Sequence, residues 1–339
     1  MTLAEVLLAV LWTGLTAYAV LGGADFGAGV LHLLAPAGSA GRRRRTAIGH
    51  AMGPVWEANH VWLIFFLTGL LTVFPGAFAA LGAALFVPGA LALLGIVVRG
   101  AAFAFAAQLT GFDRARRPLH LAFGVASAAT PVLFGAAAAG LARERLHVSG
   151  THVRAGGGAA LWLGPFQAVV GLLALAACVA LAAAFMTVEM RRAGDTRLAD
   201  AFRTQTVRAA AATSVLAAAS LAVASADAPR LLHRLAGRGL PALLLGGAAL
   251  AATLLAARLG RDHVARVAMA TAMAAFVWGW GLAQFPRLVG RDVTVASAAA
   301  SPPELRAIAI ALGAGAAVLL PALFLLYGAF RRDPTEVPR

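Results

Sequence analysis

Four ionisable side chains stand where the surrounding sequence is otherwise apolar: Asp25 in LGGADFGAGV, Glu57 and His60 in GPVWEANHVWLIFF, and Arg99 in LLGIVVRGAAF. Their chemistries complement one another. A carboxyl and an imidazole can exchange protons near neutral pH when their surroundings tune them, whereas a guanidinium keeps its charge and can neutralise a buried carboxylate. His50 and Glu57 are seven residues apart and Glu57 and His60 three apart, so on a helix all three project along one stripe. Such a stripe has the composition of a proton relay. A second reading fits the same residues: Asp25 or Glu57 as a structural ion pair with Arg99, His60 as a polar contact between helices, and His50 as an interfacial side chain.

The segments that carry these groups must be membrane helices. Of the 339 residues, 61% are hydrophobic and only 12% are charged, and the mean hydropathy is +0.83; soluble domains carry about 25% charged residues. A charge at the centre of a membrane helix costs about 2.5–3.5 kcal/mol on insertion scales, which is why the four buried groups are functional candidates. Closed barrels are the other way to satisfy backbone in lipid, but the apolar runs here are too long and continuous for barrel strands. The N-terminal run carries Glu5 where a signal peptide needs basic residues and outlasts an h-region of about 7–15 residues, so it reads as the first span.

The sequence thus predicts an all-α, polytopic membrane protein forming one transmembrane domain over 1–339. About nine helices are expected, at 3–34, 50–73, 76–108, 119–141, 160–190, 203–225, 240–259, 264–285 and 305–330, with Pro88 kinking the third. The turn FPGAF at 74–78 leaves almost no loop between the second and third spans. Arginines concentrate in alternate connections, at 42–45, 114–117, 191–197, 258–261 and 331–332. The positive-inside rule then predicts the N-terminus outside and the C-terminus in the cytoplasm of a bacterial inner membrane. In that arrangement Asp25, Glu57 and Arg99 lie at one level, about 10–14 Å inside the same face at 1.5 Å per residue. If the three helices are neighbours, the groups form one cluster.

Several other chemistries lack support. The net charge of +14 comes from arginine clusters in loops rather than a basic stripe with interleaved aromatics, which argues for topology over nucleic-acid binding. Gly23 and Gly27 form a G-x-x-x-G pair suited to close helix packing; with no strand and no Lys they are no phosphate loop. The single Cys178 excludes an internal disulfide and a cysteine-built cluster. Histidines at 32, 50, 60, 120 and 263 lie in or near spans, but no spaced pair on two helices stands out as a haem ligand set, and no metal site is expected.

The segments LGGADFGAGVLHLL, RRRRTAIGHAMGPVWEANHVWLI, FP and VVRG resemble subunit II of the cytochrome bd quinol oxidases, as do AQFPRLVGRDVTVASAAASPPEL and LPALFLLYGAF near the C-terminus. The most specific part is WEANHVW, where Trp56, Glu57, Asn59 and Trp62 match the family pattern. The resemblance implies a haem-free subunit of a two-subunit core that oxidises quinol and reduces dioxygen to water. Haem b and haem d would sit on a similarly folded subunit I, with a small accessory subunit as an optional further partner. It also implies a cytoplasmic proton path through Glu57, with Asp25 and Arg99 matching the acid of the first helix and the arginine after the third. Asp25, Glu57 and His60 are the expected proton carriers and Arg99 their charge partner. The rival is a proton-coupled secondary transporter using the same cluster.

Overall fold

The computed structural model describes residues 1–52, 56–109, 113–143, 146–149, 152–155 and 161–330; within these, the side chains at 52, 56–58, 107, 113–115, 146–149, 152–155, 319–320 and 323–330 lie outside the description. Among these residues the regular structure is helical apart from two small antiparallel hairpins. It opens on α1 (Leu3–Leu33), whose start is set by Thr2: its hydroxyl accepts from the Glu5 N–H while the Glu5 carboxylate accepts from the Thr2 N–H. Glu5 is therefore half of a capping box.

Two departures from the predicted spans follow. The arginine run expected in a loop forms a helix of its own, α2 (Gly38–Met52). Its Ile48 is fully buried in one cluster with Leu31, Phe202 and Met186, on which Ala47 and Ala51 also pack, while Arg42 and Arg43 are exposed. The second span is then α3 (Trp56–Val73), starting later than residue 50.

The second departure concerns the third span. Residues 76–108 are not one kinked helix but α4 (Pro75–Ala84) and α5 (Phe86–Gln108), with Leu85 ending one and starting the other. The turn comes at Phe74, where α3 and α4 meet at 119°. Proline suits the first turn of a helix because the N–H it lacks has no partner there. Pro75 and Pro88 both occupy first turns, so they start helices rather than bend one.

The remaining long helices are α6 (Asp113–Ala142), α7 (Pro165–Arg192), α8 (Thr196–Asp227), α10 (Leu240–Arg258), α11 (Asp262–Gln284) and α13 (Pro302–Phe330), with short α9 (Pro229–Ala236) and α12 (Val295–Ala298) between them. Strands β1 (Leu146–Ser149) and β2 (His152–Ala155) form one hairpin, β3 (Arg287–Val289) and β4 (Val293–Thr294) the other. Two of the tightest connections require left-handed backbone: Gly194 after α7 has φ +76° and Gly260 after α10 has φ +73°, the usual glycine stop of a helix.

Among the described residues, seven helices are long and apolar enough to span a bilayer, and the bent α3–α4 pair makes an eighth. The 29-residue α13 occupies the place of the ninth expected span. Helix α1 is the hub, packing on α3, α6, α7 and α11, whereas α5 packs on α6. Outward-facing Val61, Leu67, Leu94 and Val267 are exposed, as a lipid-facing surface requires.

Candidate functional site

The hub helix carries the site. Asp25 lies on the buried inner half of α1 and is 6% exposed; Asn59 of α3 is 8% exposed and Arg99 of α5 is 1% exposed. The Asn59 amide Nδ2 donates to Asp25 Oδ2 at 2.6 Å. A short bond of this kind fixes the carboxyl against α3 and leaves its other oxygen available.

Arg99 reaches the cluster by a route the sequence did not suggest. Helix α5 does not pack closely on α1; α6 stands between them. The Arg99 Nε donates to Ser127 Oγ of α6 at 3.2 Å, and that hydroxyl donates to the Phe123 carbonyl at 2.7 Å. The guanidinium carbon lies 5.1 Å from the Phe26 ring centre and 5.4 Å from that of Phe123, within cation–π range of both. Arg99 Nη2 is buried with no hydrogen-bond partner among the described residues. Asp25 and Arg99 sense each other's charge, yet the ion pairs among the described residues do not include them. The arrangement is a separated pair, with an amide bound to the acid and a hydroxyl and two rings around the base.

His60, one turn after Glu57 on α3, is placed edge-on to Tyr18 and Phe26 of α1, with ring centres 6.0 and 6.5 Å apart. The Trp56 and Glu57 side chains lie outside the described residues. Trp62 is 39% exposed and contacts Phe65 of its own helix edge-on. His50 is exposed on α2, its Nδ1 2.9 Å from the Thr46 carbonyl.

Gly23 and Gly27 face α7 rather than the helix that carries Asn59. A Cβ at Gly27 would overlap the Cys178 carbonyl, and one at Gly23 would meet Cys178 Sγ at 3.4 Å. Gly29, on the next turn, faces Ser127 of α6 so closely that a Cβ would overlap its hydroxyl. The small face of α1 thus draws in α7 on one side and the hydroxyl that holds Arg99 on the other. Tyr18, Phe26, Phe123 and Ser127 are members of the site that residue type alone did not single out; the i, i+4 stacking of Gly22 beneath the Tyr18 ring was the available signal for Tyr18. No group of three or more His, Cys, Asp or Glu side chains suited to a metal ion occurs among the described residues.

A second polar assembly lies at the end of the bundle where α7 stops and α8 and α11 begin. Asp262 accepts from Arg191 Nε at 3.0 Å and from Arg203 Nε at 2.8 Å. Asp195 accepts from Arg43 of α2 at 2.7 Å, and the buried Arg44 donates to Gln205 of α8 at 2.6 Å and covers the Phe202 ring. These bonds fasten α2, α7, α8 and α11 together.

Comparison with known proteins adds three findings. Residues 3–330 match the family model described as cytochrome bd terminal oxidase subunit II. Two curated relatives come from Bacillus subtilis (strain 168). A putative cytochrome bd menaquinol oxidase subunit II is 26% identical over 131 residues, which cover 38% of this chain and 36% of the relative. A cytochrome bd ubiquinol oxidase subunit 2 is 34% identical over 100 residues, covering 30% of this chain and 28% of the relative. The chain therefore aligns with well under half the length of either. A chain in the solved structure of bd oxidase from Geobacillus thermodenitrificans superposes with a TM-score of 0.77 at 23% identity, covering 98% of this chain and all of that one. That likeness is one of fold.

Proposed function

Because the chain belongs to the cytochrome bd terminal oxidase subunit II family, we propose that it serves as the haem-free subunit of a quinol-oxidising, dioxygen-reducing complex in a bacterial cytoplasmic membrane. It packs against a haem-bearing subunit I and supplies that partner with protons. The observation that carries the reading is the buried acid of α1, held at 2.6 Å by Asn59 in the WEANHVW segment and close to Arg99. Reducing dioxygen to water consumes protons, and a redox centre inside lipid needs a polar route to receive them.

In this reading Glu57 and His60 take protons from the cytoplasmic side and Asp25 passes them on. Arg99 keeps the anionic form of Asp25 affordable in an apolar setting, because an opposite charge nearby favours the ionised acid. Separation of the two matters, since a contact ion pair would lock the carboxylate out of proton exchange. Asn59 orients the acceptor oxygen.

The haems implied by the family, haem b and haem d, are assigned to the partner subunit. The donor set around Asp25 is carboxyl, amide, guanidinium, hydroxyl and phenol, with His60 as its one imidazole, which does not suit axial ligation of haem iron. What bound haem supplies is electron transfer and oxygen activation; this chain's residues hold and move protons and orient one another.

The test is a purification with associated subunits, followed by a reduced-minus-oxidised spectrum and quinol-dependent oxygen uptake. Glu57→Gln in the assembled complex is expected to slow oxygen uptake at least about tenfold, the scale of losing one positioned proton-transfer group, with haem content retained. Undiminished turnover removes Glu57 from the path. A colourless protein that purifies alone and moves a solute in liposomes would replace the oxidase reading with the transporter.

A further inference from the structure

Charge is distributed unevenly at the end of the bundle where α1 finishes and α6 begins. Around α7, α8 and α11 the carboxylates are engaged: Asp195 by Arg43, Asp262 by Arg191 and Arg203, Asp200 by the same two arginines, and Glu189 by Arg192 and Arg266. The corner between α1, α2 and α6 is different. There His32 of α1 lies against His120 of α6, with ring centres 4.8 Å apart and planes tilted by 38°. Arg45 of α2 and Arg116 of α6 both act on His32 electrostatically, and no described carboxylate does.

Two atoms in this corner lack an acceptor or donor. His32 is 7% exposed, and its Nδ1 is buried with no hydrogen-bond partner; Arg116 Nε is likewise buried and unpartnered. Leaving a buried polar atom unsatisfied costs about 1–3 kcal/mol, more for a charged group. Arg45 spends one nitrogen on the Ala35 carbonyl at 3.1 Å and keeps the rest of its fork. His120 and Arg116 are half-buried rather than enclosed, so the corner is reachable from outside the bundle. The first turns of α6, where Arg116 sits, add the positive end of a helix dipole.

We propose that this corner binds a phosphate-type oxyanion. Two guanidinium forks and a buried imidazole, with no carboxylate among the described residues acting on His32, match the shape and charge of phosphate oxygens. Basic pockets between membrane helices at the cytoplasmic surface face the layer where anionic headgroup phosphates lie. The same chemistry has two sources, an anionic phospholipid headgroup and inorganic phosphate, and the experiment separates them. The corner lies two helical turns from Asp25 along α1 and meets that cluster through Phe123, whose ring is edge-on to His32 with centres 5.4 Å apart.

The experiment uses the detergent-purified, delipidated complex at constant ionic strength, following thermal unfolding of its helical circular dichroism. Phosphatidylglycerol, phosphatidylcholine and inorganic phosphate are titrated separately. Phosphatidylglycerol is expected to raise the unfolding midpoint while phosphatidylcholine does not, and Arg116→Gln and His32→Gln are each expected to raise the half-saturating concentration at least about fivefold, the scale of losing a charge-assisted bond. Arg43→Gln, which disturbs an arginine already paired with Asp195, is expected to respond as the wild type does. Protection by phosphatidylglycerol alone assigns the site to lipid, and equal protection by inorganic phosphate assigns it to the soluble ion. If neither protects the wild type, or if Arg116→Gln is protected as well as the wild type, the proposal is overturned. Where Arg116→Gln fails to assemble, Arg116→Lys keeps the charge with a single donor point and is expected to bind at intermediate strength; wild-type affinity in that variant counts against the site.

Discussion

Arg99 shows how one side chain can be legible in type and illegible in partnership. As the single charge in LLGIVVRGAAF it had to be buried and compensated, and it is 1% exposed. Its direct partner is Ser127, a residue with nothing conspicuous about it in VASAATP; only the packing of α5 on α6 brings the two together. Arg99→Leu removes the positive charge near Asp25 and strands the acid in an apolar setting, a change that costs about 3–5 kcal/mol when it breaks a buried pair. The expected outcome is reduced assembly, measured as the yield of folded complex by size-exclusion chromatography. Adding Asp25→Asn in the same chain is expected to restore part of that yield, because the stranded charge is gone. Asp25→Asn alone separates structure from proton transfer: the amide can still pair with Asn59 once that side chain turns over, so haem content and yield stay near wild type while oxygen uptake falls at least about tenfold. Equal loss of haem and turnover would make Asp25 a structural residue.

At the level of elements, the glycines of α1 carry an argument about interfaces in lipid. Without a hydrophobic force between helices, close backbone approach and packing decide which helices associate. At Gly27 the backbones of α1 and α7 lie so close that a side chain meets the Cys178 backbone and has no room to turn aside. Gly27→Val is expected to cost at least about 1–3 kcal/mol by overpacking, read as a lowered thermal midpoint. Gly89 in the first turn of α5 provides the contrast: a Cβ there meets nothing within 4 Å, so Gly89→Ala is expected to leave the midpoint unchanged or raise it by the equivalent of up to about 1 kcal/mol. The same scale explains the two misplaced spans. Hydropathy is continuous through residues 76–108, so periodicity could not mark the break at Leu85, whereas the prolines at 75 and 88 are start signals whose meaning depends on position within a turn. The basic run at 42–45 was legible as interfacial charge, but its folding into α2 depends on Ile48 finding the pocket formed by Leu31, Phe202 and Met186.

Over the whole molecule, charged side chains from distant segments meet at one end of the bundle. The network centred on Asp262 joins α7, α8 and α11 through Arg191 and Arg203, and backbone-local reasoning could not have found it, since its members come from distant parts of the chain. Both arginines bond to the Asp262 carboxylate at the start of α11, Arg203 through two nitrogens. Asp262→Asn is expected to lower thermal stability by about 1.5–3 kcal/mol, the range for hydrogen bonds to a charged group. The loss should shrink in high salt for the partly exposed arginines. The orientation inferred from the arginine bias has a direct check, because the one native thiol, Cys178, is buried. Ser39→Cys in α2 is expected to react with a membrane-impermeant maleimide from the cytoplasmic side and Ser301→Cys before α13 from the outside; the reverse pattern would invert the topology and with it the source of the protons.

The amino-acid sequence by itself determined that this chain crosses a membrane several times as helices, because the hydrocarbon core admits little else. It also determined which charges are exceptional, because each carries a cost that only burial with compensation can offset. Tertiary structure alone decided who compensates whom. Asp25 rests on Asn59, Arg99 is held by Ser127 and Phe123 of α6 and Phe26 of α1, and His32 meets His120 where no described carboxylate acts on it. Periodicity reports which residues share one helix face; which faces then meet depends on small residues and side-chain shape across interfaces, and that information is distributed over helices far apart in the chain.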